Sequence, residues 1–454
     1  MKKFFILFII LQVAVIFLFY PDFYGIYDED LYLTATHAMQ NGSFFYEKSG
    51  VDAPLLGAVE GTKGAVSIYP PGNSVLLLPF TVIHWKLGFL KNILLYIGSF
   101  LLFISILRKL KIDPMYSLVF LLHPTIVLFS RTLMSDIPSM FFLLVGVLLL
   151  LDKKNLGAGF SLGFLLLLRY PNVILIIGIF GALLYRKEYK KSLRLLPGIV
   201  FFSFALFGYV MHVYGSILGP FAVDGARSFG FSYFIYNFPY YLLSLNVLFP
   251  GMLLIAIFFG FKNKKSFLFI IPSLLIIIFY SFYYYIDGGS NIIEKLVKGQ
   301  RFMIPVIPLL LIPYLQFFHN RKFMKKVFVF VVPLLFIFAC GIHYKHYEFV
   351  KKEKILSQTV RENIGDSDVV ICNSDTDELF NPYFSNVKLI ELSEIDKDKL
   401  DFLRKNYNIS FIFVELKRGR LYEEKQGWIE FFKNEGFEIS YESEEPVPVI
   451  VMSE

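Results

Sequence analysis

Cysteine and tryptophan are scarce in this 454-residue chain, with two of each, and charged residues make up only 18%. Two cysteines, Cys340 in an apolar run and Cys372 in a polar tail, exclude a disulfide framework and a thiolate metal cage. The low charge, against roughly 25% in soluble proteins, excludes an ordinary soluble enzyme. No glycine-rich phosphate loop follows the first strand-like run of the tail, which agrees with a chemistry that needs no nucleotide. What the chain has is apolar length: 56% hydrophobic residues, 53 Phe, 28 Tyr and a mean hydropathy of +0.59. Its apolar blocks approach the about 20 residues a helix needs to span a bilayer, and helices satisfy their own backbone polar groups in lipid. The reading is a polytopic α-helical membrane protein.

The net charge of +7 is not a nucleic-acid signal, because it divides by position. Residues 1–344 hold 29 Lys plus Arg against 14 Asp plus Glu, whereas residues 345–454 hold 15 against 23. The basic excess belongs to membrane loops. The first 20 residues lack a small-residue cleavage site and read as an uncleaved first span. Further apolar runs lie near 92–107, 114–130, 137–151, 156–168, 171–185, 195–214, 240–260, 267–286, 302–318 and 327–343, about eleven spans in all.

The stretch 74–90, with Pro79, His84, Trp85 and Lys86, reads as an interfacial helix that does not span. With a cytoplasmic N-terminus, seventeen cations, among them Arg108, Lys109, Lys153, Lys154, Arg194, Lys262, Lys264 and Lys265, then face the cytoplasm. Only six, Arg131, Arg169, Arg227, Lys295, Lys298 and Arg301, fall in the opposing short loops, as the positive-inside rule requires. Eleven of the 14 carboxylates before residue 345 land outside, among them Asp28, Glu29, Asp30, Glu47, Asp52, Asp136, Asp224 and Asp287. The polar chemistry is therefore expected on the outer face of the plasma membrane, around a large first loop (21–73).

The tail from residue 344 reads as a separate extracytoplasmic domain. Short β-branched runs at 369–372, 387–390 and 409–414 alternate with helical stretches at 350–364, 396–406 and 422–435, and 439–451 supplies closing strands. That pattern argues an α/β layer. Its polar segment Asn373-Ser374-Asp375-Thr376-Asp377 would repel phosphate, so the tail is expected to be a scaffold or acceptor-side module.

Beyond the first span stands Tyr27-Asp28-Glu29-Asp30, three successive carboxylates that repel one another. Burial would lift the pKa of at least one, making it fit to accept a proton. This acidic group, Tyr69-Pro70-Pro71-Gly72, Leu133-Met134-Ser135-Asp136-Ile137-Pro138, Leu168-Arg169-Tyr170-Pro171 and Gly299-Gln300-Arg301-Phe302 together resemble the GT-C type glycosyltransferases that use lipid-phosphate sugars. Those include the protein O-mannosyltransferases and the lipid A aminoarabinose transferases. The likeness covers residues 1–343, which it marks as the catalytic part.

The resemblance implies that Asp28 deprotonates the acceptor, that Glu29 orients or tunes it, and that Asp136 is a second acidic position; Asp136 could equally be a helix cap. Arg301, Lys298 and Arg169 are the candidates for the donor phosphate, since a guanidinium fork matches its oxygens. Arg301 could also be an interfacial anchor. Arg131 and Arg227 read as ordinary loop charges, and His37, His84 and His123 as surface residues. Tyr69, Pro70 and Pro71 form a rigid structural turn.

The reading is an inverting transferase moving a sugar from a polyprenyl-phosphate carrier to a lipid, glycan or protein acceptor. No nucleotide is needed. A divalent cation on Asp28, Glu29 and Asp136 stays open. One rival is a lipid-linked oligosaccharide transferase or polymerase, although the Trp-Trp-Asp signature of the asparagine-linked enzymes is missing. The other is a lipid or sugar transporter, disfavoured because the acids avoid mid-span positions and no internal repeat is evident.

Overall fold

The computed structural model describes residues 2–46, 58–217, 219, 228–286, 291–319, 321–373, 379–392, 395–414, 422–443 and 449–453. Glu47, Asp52, Asp224, Arg227, Asp287 and residues 374–377 lie outside them. The chain divides into two units. The first comprises Met1–Pro21, Tyr69–Leu76 and Leu87–Tyr347; the second comprises Asp22–Ile68, Leu77–Lys86 and Glu348–Glu454.

Apolar helices make up the first unit. Among the described residues four are long and apolar enough to cross a membrane: Trp85–Lys109, Tyr189–Tyr214, Lys264–Ser281 and Lys326–Asn363. Two bent pairs would bring the number to six: Phe231–Val247 with Met252–Gly260 at 93°, and Ile292–Met303 with Ile307–His319 at 103°. The first bend falls at Pro250-Gly251, where Gly251 takes φ +72°, a left-handed conformation cheap only for glycine. Asp136–Leu151, Asn155–Leu168 and Asn172–Tyr185 are shorter, at 16, 14 and 14 residues.

Two runs differ from the sequence expectation. Residues 114–130 do not form one continuous helix; they fold as a 3-10 turn Pro114–Ser117 and two short helices, Leu118–Leu121 and Pro124–Phe129. Pro124 lacks an N–H and forces His123 into extended backbone (φ −66°, ψ 121°), so the helix stops and restarts. Residues 327–343 form part of one 42-residue helix, Lys322–Asn363, because no breaker follows Gly341. The stretch 74–90 is a ten-residue helix, Gly72–Thr81, followed by a turn Trp85–Leu87.

Lipid-embedded helices gain nothing from burying apolar surface against each other rather than against lipid, so they pack where small residues let backbones meet. A Cβ on Gly159 would lie 2.3 Å from the Leu195 carbonyl oxygen, and one on Gly163 would lie 2.6 Å from that of Gly198. Helices Asn155–Leu168 and Tyr189–Tyr214 therefore touch main chain to main chain.

In the second unit, helix Tyr27–Gln40 lies with a hairpin of β1 (Ala58–Glu60) and β2 (Ala65–Ser67). The remaining strands are β3 (Val369–Cys372), β4 (Lys388–Glu391), β5 (Ile409–Val414), β6 (Glu438–Ser443) and β7 (Val449–Ser453), in the order β4-β3-β5-β7-β6. β3 runs parallel to β4 and β5, and β7 is antiparallel to β5 and β6. Alternation sends Ile371, Phe411 and Phe413 to one face with Phe432, and Val370, Ile412 and Val414 to the other with Val360 and Ile364. Both faces of the central strands are buried, hence their unbroken apolar runs. Phe23, Tyr24, Trp85 and Phe384 form an aromatic cluster that ties the segment after the first helix to the tail, with Trp85 and Phe384 centroids 5.5 Å apart.

Gly72 opens its helix against neighbouring backbone: an added Cβ would meet the Leu167 oxygen at 2.5 Å. Gly72→Ala is expected to destabilise the protein by about 1–3 kcal/mol through overpacking. Gly341→Ala, where a Cβ meets nothing within 4 Å, is expected to raise stability by up to about 1 kcal/mol. Thermal unfolding in detergent checks both.

Candidate active site

Helix Asp136–Leu151 opens on a fully buried carboxylate, with Ser135 at the N-cap. Two guanidiniums converge on it. Arg169 Nη1 pairs with Asp136 Oδ1, and Arg301 Nε donates to Oδ2 at 3.5 Å. Arg169 leaves helix Asn155–Leu168 in extended backbone (φ −156°, ψ 134°) two residues before Pro171, and Arg301 opens the turn Arg301–Met303. Phe302 lies 5.2 Å from the Arg169 guanidinium and 5.5 Å from that of Arg301, and Tyr280 stacks on Phe302 at 4.5 Å. Buried charge persists only when paired, and here the three groups sum to one positive charge. Asp136 is thus an ion-pair partner of two arginines as well as the first residue of its helix.

The segment preceding Asp136 is clamped by three buried polar side chains. Asn73 Nδ2 donates to the Leu133 carbonyl at 2.9 Å, and Lys91 Nζ donates to Asn73 Oδ1 at 2.5 Å and to the Leu133 carbonyl at 3.3 Å. Asn92 Nδ2 donates to the carbonyls of Thr132 at 2.5 Å and Met134 at 2.9 Å. Tyr69, Pro70 and Pro71 deliver Asn73 to this clamp: the Pro71 carbonyl accepts from Val75 N–H at 2.9 Å, starting the helix at the turn. Lys91 and Asn92 escape sequence reasoning because they stand at the edge of an apolar run, where a Lys reads as an end marker. Their signal is an adjacent Lys-Asn pair in an otherwise apolar helix.

Lys298 is not drawn into the arginine pair. It is exposed and bridges to Glu294 at 3.9 Å, one turn back on the short helix Ile292–Lys298.

Arg131 is not an ordinary loop charge: it is completely buried, with Nε donating to His346 Nδ1 at 3.3 Å and Nη1 2.9 Å from His343 Nδ1. A guanidinium has only donors, so both Nδ1 atoms accept and each neutral ring carries its proton on Nε2. His343 Nε2 lies 3.1 Å from the Gln12 amide, whose carbonyl oxygen otherwise lacks a partner. Turning that amide over satisfies both groups. His123 also departs from a surface role, being buried and stacked on Phe249 at 5.0 Å. His84 is exposed, and its Nδ1 accepts the Lys86 N–H at 3.2 Å.

In the second unit, the three acids start helix Tyr27–Gln40 and meet different surroundings. Asp28 is half-buried. Glu29 is buried, and its Oε2 accepts the N–H groups of Gly25 at 3.2 Å and Ile26 at 3.1 Å, closing the helix start. Asp30 is buried with Oδ1 accepting from Asn381 Nδ2 at 2.5 Å, and Asn381 also reaches Thr34 Oγ1 at 3.3 Å. Burial pushes the Asp30 carboxyl up to about 6, against the opposing pull of hydrogen bonds from Asn381 and Tyr24. Burial thus lifts Asp30, a position that sequence alone had no means of singling out among three neighbours. Among the described residues no cluster of three or more His, Cys, Asp or Glu side chains could hold a metal ion.

The apolar helices make this a multi-pass membrane protein, and its fold is of the GT-C type. The crystal structure of ArnT from Cupriavidus metallidurans bound to undecaprenyl phosphate matches with a TM-score of 0.64 and 11% identity, covering 98% of this chain and 97% of that one. The apo state of the same protein matches with a TM-score of 0.64 and 11% identity over 100% and 98% of the two chains. No family model and no curated protein matches the sequence.

A carboxyl lifted in the folded state binds protons more tightly there than in the unfolded chain. Its contribution to stability is therefore full below about pH 4 and lost as pH rises through about 6. The size is about 3 kcal/mol for a shift of this order. The thermal midpoint of the native protein is expected to fall between about pH 4 and 7, and Asp30→Asn is expected to flatten that fall.

Proposed function

We propose that the chain is an inverting glycosyltransferase that moves one sugar from a polyprenyl-phosphate carrier to a lipid, glycan or protein acceptor on the outer face of the plasma membrane. The observation that carries this reading is the convergence of Arg169 and Arg301 on buried Asp136. Guanidiniums held in fixed orientation suit a phosphate monoester leaving group, and undecaprenyl phosphate is the molecule bound in the ArnT structure of the same fold. In this reading Arg301 and Arg169 face the carrier phosphate, and Asp136 fixes their forks. Lys298 adds positive charge from its exposed helix. The acceptor oxygen attacks the anomeric carbon as the carbon–oxygen bond to phosphate breaks. The phosphate leaves with the bonding pair, Asp28 takes the acceptor's proton, and the single displacement inverts the centre. Glu29 holds the helix start that presents Asp28.

The same proposal includes a cytoplasmic N-terminus and about eleven passages, with residues 114–130 crossing as a broken segment. Residues 1–343 are the catalytic membrane part and residues 344–454 an extracytoplasmic α/β part. The distribution of cations supports that orientation.

Arg301→Ala is expected to weaken binding of a synthetic polyprenyl-phosphate by about 10- to 100-fold, the worth of a charge-assisted contact, with Arg301→Lys restoring only part of it. Lys298→Ala is expected to cost less than about threefold, as exposed charges do. Equal losses for Arg301→Ala and Lys298→Ala would remove the phosphate role. Asp28→Asn is expected to lower sugar transfer at least about 100-fold with carrier binding retained; mass spectrometry of the glycolipid products reads the outcome.

A further inference from the structure

A cavity of about 620 Å³ opens where helix Asn155–Leu168 starts beside helix Tyr189–Tyr214. Its rim carries Lys153, Lys154 and Arg194, all exposed. The neighbouring acids are already engaged: Asp152 pairs with Lys109, and Glu188 pairs with Arg186 and Lys191. Among the described residues no carboxylate pairs with the three rim cations. Asn155 lines the same cavity, is only 5% exposed, and its Oδ1 has no hydrogen-bond partner among the described residues. The open N-terminus of a 14-residue helix adds unsatisfied N–H groups and a partial positive charge. Beside this polar rim the wall is apolar and exposed: Leu156 and Leu193 line the cavity, and Phe160 and Phe201 continue along the helices with ring centroids 5.9 Å apart.

We propose that this cavity binds an anionic phospholipid of the phosphatidylglycerol type. The phosphodiester faces Lys153, Lys154 and Arg194, a head-group hydroxyl donates to Asn155 Oδ1, and the acyl chains follow the apolar wall. Three features combine here: an unneutralised cationic rim, a buried acceptor with no partner, and an apolar continuation of acyl-chain character. A free phosphate would use only the first. The main-chain contact between the two helices at Gly159, Gly163 and Gly198 holds the rim residues at fixed separation. The proposal does not depend on the transferase reading, because its readout is lipid retention.

The test is native mass spectrometry of the full-length protein from nanodiscs containing equal phosphatidylglycerol and phosphatidylcholine. The native protein is expected to retain phosphatidylglycerol selectively. The triple variant Lys153→Gln/Lys154→Gln/Arg194→Gln is expected to lose retention by about fivefold for each charge removed. Lys262→Gln/Lys264→Gln/Lys265→Gln, which removes as many cations from another cluster, is expected to keep it, as is the charge-conserving Lys153→Arg/Lys154→Arg. In nanodiscs of equal phosphatidylglycerol and phosphatidic acid, which has no head-group hydroxyl, the native protein is expected to prefer phosphatidylglycerol and Asn155→Leu to lose that preference. Equal loss from the two glutamine variants would overturn the proposal, reducing the effect to general surface charge. Displacement of the lipid by millimolar inorganic phosphate would overturn it in favour of a free-anion site.

Discussion

A carboxylate buried between two guanidiniums is the constraint on which much of the membrane unit depends. Removing three charged groups from water is costly unless they meet one another in good geometry. Asp136, Arg169 and Arg301 come from segments 33 and 132 residues apart, so meeting them fixes three helix ends at once. Around that triad the surroundings are correspondingly rigid. Phe302 packs beside both guanidiniums with Tyr280 stacked on it, and the Asn73, Lys91 and Asn92 side chains hold the carbonyls of residues 132–134 just ahead of Asp136. Gly72 lets the turn that carries Asn73 approach the backbone at Leu167, two residues before Arg169.

A second buried polar group, Arg131 with His343 and His346, uses a different chemistry. Among the described residues no carboxylate partners it; two neutral imidazoles accept from the guanidinium instead. Charge is thereby shared over hydrogen bonds rather than cancelled, and the helix bearing Gln12 is linked to the one bearing His343. A buried polar group of this kind specifies which helices meet, since breaking it strands an uncompensated charge.

Much of this was legible in the sequence, for physical reasons that also set its limits. Apolar run length identified the membrane body, and breakers explain where run boundaries and helix boundaries part: Pro124 and Gly251 interrupt runs that hydropathy alone treats as continuous. Asp136, Arg169 and Arg301 stood out because they fall in the segments that carry the resemblance to the GT-C transferases. Arg131, Lys91 and Asp30 did not, because burial is a tertiary property. Arg131 is deep only through His343 and His346, more than 200 residues away. Asp30 is buried where Asn381, 351 residues on in the chain, meets it. The alternation of strands and helices in the tail was visible in its β-branched runs, while the pairing order, with β7 inserted between β5 and β6, was not.

The glycine contacts carry one consequence for how such a chain can diverge. Where Gly159, Gly163 and Gly198 meet, the atoms opposite belong to the main chain, so no replacement across the interface can make room for a larger residue. Lineages related to this one should then keep these three positions small while the exposed phenylalanines and leucines on the same helices drift freely. Invariance there would record geometry rather than catalysis.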